Sequence, residues 1–223
     1  MKELKPETQA FLDRVSNFID TEIRPNESLY QQQMEEGGRW CVPPIMEEMK
    51  AKAKDEGLWN FFLPGYEGDF GTGLTNFEYS HLAEKMGAVG ISSEVFNCSA
   101  PDTGNMEVLA KYGNDAQKKQ WLTPLLNGEI RSAFLMTEPQ VASSDATNIE
   151  TSIVLEGDEY VINGSKIFIT NGYLCDMAIV VCKTGNNEKG SANLSLIIVE
   201  ADRVCDGFFA RFGGDHAVIL ETA

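Results

Sequence analysis

Two stretches of this chain concentrate side chains that could do chemistry. Ala133 to Asn148, AFLMTEPQVASSDATN, crowds Thr137, Ser143, Ser144 and Thr147 around Pro139, just after an apolar, strand-like run. Asn163 to Gly172, NGSKIFITNG, offers Thr170 and Asn171 after a second apolar run, Ile167 to Ile169. Short hydroxyls and backbone N–H groups approach a ring edge without bulk. Taken singly, Thr-Glu-Pro and Thr-Asn-Gly read as strand-end turns. Taken together, they point to one polar-edged, aromatic-walled site for a flat heteroaromatic cofactor.

Other chemistries lack their core residues. The only histidines are His81 and His216, and no HExxH, GxSxG or GxxxxGK[ST] occurs. His81 lies on an expected helix beside Tyr79 and Leu82 and reads as packed. Gly71-Thr72-Gly73 lacks the third glycine and following helix of a dinucleotide fingerprint. Asp69, Asp102 and Asp145 form no dense metal-ligand cluster, so no metal site is expected. Glu35-Glu36 and Glu47-Glu48 read as solvated helix faces. Trp40, Trp59 and Trp121 sit among apolar neighbours and are expected in the core. The formal charge of −16 argues against nucleic acid and against an anionic membrane surface.

The elements that must position the two blocks differ along the chain. Its 223 residues, 43% hydrophobic and 23% charged, suit a soluble protein with one large or two small cores. Pro6 to Glu22 has Phe11, Leu12, Val15, Phe18 and Ile19 at helical spacing, and Pro25 is expected to end the run. Pro43-Pro44 opens a second helix that stops near Gly57. Phe61 to Gly73, with four glycines and a proline, reads as loop. Thr75 followed by Glu78 is a capping-box pattern for a helix to Met86. Met106 to Tyr112 and Asp115 to Leu126 read as helices. Beyond Ile130 the runs Ser132 to Met136, Asn148 to Leu155, Tyr160 to Asn163, Met177 to Cys182 and Leu194 to Val199 are short and rich in Val and Ile, as in an antiparallel barrel or sandwich. The expected class is therefore α+β, with an all-α domain over 1–130 and a mainly antiparallel β-barrel or sandwich domain over 131–223.

Five cysteines without CxxC spacing read as reduced thiols of a reducing intracellular compartment. No apolar run spans a bilayer, and the N-terminus resembles neither a signal nor a transit peptide. That fits a bacterial cytoplasm, or a mitochondrial or peroxisomal protein lacking its leader.

A flavin needs donors for its pyrimidine carbonyls and N5, and a wall to stack on, which the two blocks offer. They resemble the acyl-CoA dehydrogenase family, over nearly the whole chain to about Val199. LPGYEGDFGTG (Leu63 to Gly73) is similar to the family's LPxExGG loop. LAEKMG (Leu82 to Gly87) and KYGNDAQKKQWLTPLLNGEI (Lys111 to Ile130) are further landmarks in the family's order. MTEPQVASSDATN resembles the first flavin block, and GDEYVINGSKIFITNG the second with its preceding hairpin. NCSAPDTGNMEVL together with TEPQVASSDATN is most similar to the branch of larger, kinase-fused members.

The resemblance implies a site for FAD. Phe134, Leu135, Met136, Thr137, Ser143 and Ser144 would line the isoalloxazine, with Thr137 bonding the ring. Ser144, or Ser143, would reach the flavin or the acyl-CoA, because one extra residue separates Pro139 from Asp145 relative to TEPGAGSD. Phe168, Ile169 and Thr170 match the Trp-Ile-Thr element, with Phe168 as wall and Thr170 near N5. The implied reaction is α,β-dehydrogenation of an acyl-CoA to a trans-2-enoyl-CoA in fatty acid β-oxidation, with electrons passing to an electron-transfer flavoprotein. A full-length form is expected to be a homo-oligomer.

Two departures bear on activity. The resemblance implies a C-terminal helical domain that supplies the catalytic carboxylate, and that domain is expected to be missing here. The tail GFFARFGGDHAVILETA drifts from the family pattern, so the second half of the barrel is expected to be missing or altered. No catalytic base is assigned within the chain. Glu138 is not taken for one, since the resemblance places it in the cofactor loop. The alternatives are a non-catalytic flavin-binding or interaction fragment, and an acyl-CoA oxidase-like flavoprotein.

Overall fold

A computed structural model describes residues 4–38, 40–63, 71–186, 192–201, 209–213 and 218–220. The chain divides into two compact units, residues 1–103 and 104–223.

The first unit is helical. Helix α1 (Pro6–Phe18) buries Leu12, Val15 and Phe18, the apolar stripe of the sequence. Pro25 does not end the helical path. A π turn over Ile19–Ile23 and a 3₁₀ turn over Arg24–Asn26 carry it into α2 (Glu27–Gly37). The missing N–H of Pro25 is tolerated because the proline opens a new turn. Helix α2 buries none of its residues, which is why apolar periodicity did not announce it. Helices α3 (Pro44–Asp55), α4 (Asn76–Gly87) and the one-turn α5 (Ser92–Val95) complete the unit. Its centre is aromatic. Phe61 meets Phe96 at 5.4 Å and Phe11 edge-on at 5.4 Å, and Phe18 meets Phe96 at 5.5 Å. His81 packs edge-on against Phe77 at 5.0 Å, a packed histidine as expected. Trp40 departs from its expected core position and is 49% exposed, because it lies in the turn before α3. Trp59 and Trp121 are half-buried. Pro64 to Phe70 of the expected loop lies outside the described residues.

The Thr75 pattern forms the capping box it predicts. Glu78 N–H donates to Thr75 Oγ1 at 3.3 Å, and Thr75 N–H donates to the Glu78 carboxylate at 2.9 Å. Thr8 Oγ1, on α1, donates to the same carboxylate at 2.9 Å. The backbone N–H and hydroxyl of Thr75, with the Thr8 hydroxyl, hold the Glu78 carboxyl down at about 2. One buried acid thus caps α4 and ties it to α1.

The second unit carries α6 (Asp102–Tyr112), a helical stretch through α7 (Asp115–Gln117), a π turn (Lys118–Leu122) and α8 (Thr123–Asn127), and the sheet. A second capping box, Asn114 with Gln117, starts α7. Gly128 closes α8 at φ 67°, a left-handed position suited to glycine. The strands are β1 (Ser132–Leu135), β2 (Ser152–Glu156), β3 (Glu159–Asn163), β4 (Met177–Asn186), β5 (Ala192–Glu200), β6 (Phe209–Gly213) and β7 (Val218–Leu220). Their order is β6-β3-β2-β4-β5-β7, with β1 also pairing β4. The sheet is mainly antiparallel, but β1 runs parallel to β4 from Ser132 opposite Met177 to Leu135 opposite Val180. Ser152 pairs with Lys183 at the far end of the same β4 edge, also in parallel. Strands β6 and β7 continue the sheet into the segment where altered barrel sequence was expected. Ala133, Leu135, Ile153, Ile162, Ala178, Val180, Cys182, Ile197 and Val199 form one buried cluster.

The four described cysteines, Cys41, Cys98, Cys175 and Cys182, are free thiols. Burial pushes Cys98 up strongly and Cys182 up to about 12, so both are inert packing groups. No helix among the described residues is long and apolar enough to cross a membrane.

Thr75→Ala removes the N-cap acceptor and one donor to the Glu78 carboxylate. It is expected to destabilise the helical unit by about 1 kcal/mol, read as a lower thermal midpoint in far-UV circular dichroism.

Candidate functional site

The two chemistry-bearing blocks meet at the end of β1. Ile167 N–H donates to the Thr137 carbonyl at 2.9 Å. Lys166 Nζ donates to the Met136 carbonyl at 3.0 Å and to Glu138 Oε1 at 2.8 Å. The Glu138 carboxylate also accepts the N–H of Glu150 at 2.8 Å and of Thr151 at 2.9 Å. Asn171 Nδ2 donates to the Ser132 carbonyl at 3.3 Å, and Asn105 Nδ2, from α6, donates to Ser132 Oγ at 2.8 Å. Both ends of β1 are therefore held by side chains outside the ladder.

Burial explains why these bonds form. The Lys166 and Glu138 side chains are 0% and 2% exposed. A charge taken out of water needs partners, and each here has an opposite charge plus backbone groups. Burial alone would raise the Glu138 carboxyl. The Lys166 ammonium, Thr151 and the N–H groups of Glu150 and Thr151 outweigh it and hold it at about 2. A carboxylate so acidic and so fully engaged is unsuited to general-base work near neutral pH.

The candidate residues fall into two sets. Ser143 is buried, and its Oγ accepts the Glu138 N–H at 2.5 Å, so its hydroxyl serves the turn. Ser144 beside it is exposed. Leu135 belongs to the core cluster, and Ile169 packs against it. Phe134, Met136 and Thr137 are half-buried, and Thr170 is exposed. Phe168 is 90% exposed at φ 55°.

Phe168 to Thr170, read from the sequence as the end of an apolar run at a strand-end turn, is not part of a strand. It lies in an irregular segment between β3 and β4 that turns over Thr170 to Leu174, with Asn171 at φ 62°. The buried Lys166 and the core-packed Ile169 hold the chain inward on either side of Phe168, so its ring points out. Gly164, just before this segment, has no room for a side chain: a Cβ there would lie 2.7 Å from Thr151 Cα.

Sequence reasoning missed Lys166, Asn171 and Asn105 as organising residues. The available signal was opposite charge, Glu138 in the first block and Lys166 in the second. Among the described residues, no group of three or more His, Cys, Asp or Glu is placed to hold a metal ion.

Glu138 makes stability depend on acid. Its folded carboxyl lies below the usual 4.5, so the stabilisation is present above that value and is lost as pH falls toward about 2. The depression corresponds to roughly 3 kcal/mol. Urea midpoints of the sheet unit are expected to fall across this window. In the E138Q/K166M double variant this limb should be flattened.

Two family models match successive parts of the chain. Residues 5–129 match the model of the acyl-CoA dehydrogenase N-terminal domain, and residues 133–211 that of the acyl-CoA dehydrogenase middle domain. The chain is 47% identical over 205 residues to mouse acyl-CoA dehydrogenase family member 10, covering 89% of this chain and 19% of that protein. That relative is of the larger, kinase-fused branch expected from the sequence. A Mycobacterium abscessus structure of the acyl-CoA dehydrogenase class superposes with TM-score 0.87 at 38% identity, covering 97% of this chain and 61% of the other. A glutaryl-CoA dehydrogenase from Mycobacterium smegmatis in complex with FADH2 shares the fold at 21% identity, TM-score 0.73, over 98% of this chain and 56% of its own. The chain thus spans less than two thirds of each of these proteins. A helical unit followed by a mixed sheet, two domain models in order, and a close structural match lead to one conclusion: this chain belongs to the acyl-CoA dehydrogenase family, carrying its N-terminal and middle domains.

Proposed function

We propose that this chain supplies the helical and flavin-binding parts of an FAD-dependent acyl-CoA dehydrogenase, an oxidoreductase that converts an acyl-CoA thioester to a trans-2-enoyl-CoA. The observation that carries this reading is the Ile167 N–H donating to the Thr137 carbonyl at 2.9 Å, which brings the two candidate flavin blocks together. Family membership supports it, as does the shared fold with the FADH2-bound M. smegmatis enzyme. We take the domain boundary at 130/131, with the flavin contacts in the second part.

The residues fit the group. Thr137 and Thr170 are hydroxyls at the outer edge of the joined blocks, and Phe168 holds an aromatic face out of the core. Leu135 and Ile169 are committed to packing and would contribute through their backbone. Ser144 is preferred over Ser143 for the flavin or acyl-CoA contact, because Ser143 already accepts the Glu138 N–H. Phe134 and Met136 would line the same wall. FAD, when bound, supplies the two-electron acceptor. This chain's residues hold and orient it, and none of the 223 is assigned as the base for the α-proton. Electron transfer to an electron-transfer flavoprotein, homo-oligomerisation of the whole protein, and a role in fatty acid β-oxidation belong to the same proposal. An oxidase-type acceptor and a purely flavin-binding or interaction fragment are the competing readings.

Two experiments test it. Thr137→Ala with Thr170→Ala is expected to weaken FAD retention at least tenfold in equilibrium dialysis, with far-UV circular dichroism unchanged; unaltered affinity would remove both residues from the site. Separately, the 223-residue chain mixed with FAD and an acyl-CoA is expected to give no anaerobic flavin bleaching. Robust bleaching would mean that a base lies within the chain after all.

A further inference from the structure

We infer that Lys166 and Glu138 are positioning residues for the flavin site: their buried ion pair fixes the Thr137 backbone against Ile167 and so sets the spacing of the two blocks. The inference rests on the functional reading above. It stands on geometry that is independent of any ligand. Lys166 Nζ donates at once to the Met136 carbonyl and to Glu138 Oε1, so it grips the residues on both sides of Thr137. The next residue, Ile167, donates its N–H to the Thr137 carbonyl itself. From the other side, Glu138 is held by the N–H groups of Glu150 and Thr151, and its own N–H donates to Ser143 Oγ. Thr137 thus sits between two clamped residues while its own side chain remains half-buried at the edge.

The pair is sealed from water, with side-chain exposures of 0% and 2%. It therefore escapes the solvent screening that makes surface pairs loose. An apolar replacement of equal volume could keep the core packed but would supply none of the directional bonds to the Met136 carbonyl. Packing and positioning are separable on that account. Neither residue is proposed to touch flavin or substrate. Phe168 and Thr170 follow Lys166 by two and four residues, so a shift of Lys166 would move the wall and the second hydroxyl together.

The test compares the wild-type chain with one double variant. In the wild-type chain without FAD, the Ile167 and Thr151 amides should exchange with deuterium at least about 100-fold more slowly than in an unstructured peptide. Fast exchange at either would overturn the clamp, whatever any variant does. The K166M/E138Q double variant removes both charges together, so no lone charge is left buried. It is expected to retain its far-UV spectrum, to bind FAD about tenfold or more weakly, and to show a shifted visible band for the flavin at saturation. A purely structural role would lower the thermal midpoint without moving that band. A double variant with FAD affinity within about twofold of wild type and an identical band would overturn the positioning role and leave the flavin-site reading standing. A wild-type chain that takes up no FAD would overturn both.

Discussion

A carboxylate placed beneath a protein surface must be given donors, and Glu138 draws its donors from two separate stretches of chain. The Lys166 ammonium arrives from the segment after β3, and two backbone N–H groups arrive from the approach to β2. The end of β1, the start of β2 and the second hydroxyl-bearing block therefore meet at one side chain. An unpaired charge at 2% exposure would cost several kcal/mol, so any arrangement that separated these stretches would be penalised strongly. The local geometry of the candidate site follows from that penalty.

The strand neighbours show the same economy of placement. The edge of β4 is shared, its first half paired with β1 and its far end with β2. Between those two pairings the chain makes the excursion from Met136 to Thr151 that carries Ser143 and Ser144. Glu138 bridges the base of this excursion through the N–H groups of Glu150 and Thr151, which explains how a polar, turn-rich loop can leave from and return to one strand edge. Gly164 completes the fit, because the approach to Thr151 leaves no space for a Cβ. Ser143 accepts the Glu138 N–H within the loop, and Asn171 and Asn105 donate to Ser132 at the start of β1.

Much of this was legible in the sequence, for reasons that can be stated residue by residue. The α1 stripe and the Thr75–Glu78 box carry their signal within one or two turns, so local pattern sufficed. Four of the five strand runs carry theirs in Val and Ile, and the first in Phe, Leu and Met. Helix α2 was invisible because it buries nothing, and periodicity reports only what is buried. The parallel pairing of β1 with β4 was equally hidden, since alternation identifies a strand and not its neighbour. Phe168 misled for a related reason. Ile167-Phe168-Ile169 reads as an apolar run, yet a left-handed φ turns the middle ring outward. The candidate site residues were read from hydroxyl content and family resemblance. The ion pair beneath them was not, because two charges 28 residues apart carry no local signature.

The choice of a buried ion pair over an apolar one has a physical argument of its own. Measured systems show that well-packed hydrophobic replacements often match or exceed buried ion pairs in stability. Stability alone does not therefore account for Lys166 and Glu138. Direction does. Leucine and methionine fill volume from many angles, whereas an ammonium 3.0 Å from the Met136 carbonyl and 2.8 Å from Glu138 admits a narrow range of backbone positions. A strand slipped by one residue would exchange its inward and outward faces. In β1 that slip would expose Leu135 and drive Phe134 into the core. The ion pair at the strand's end penalises the slip with an unpaired charge, and the residue it locks most closely is Thr137.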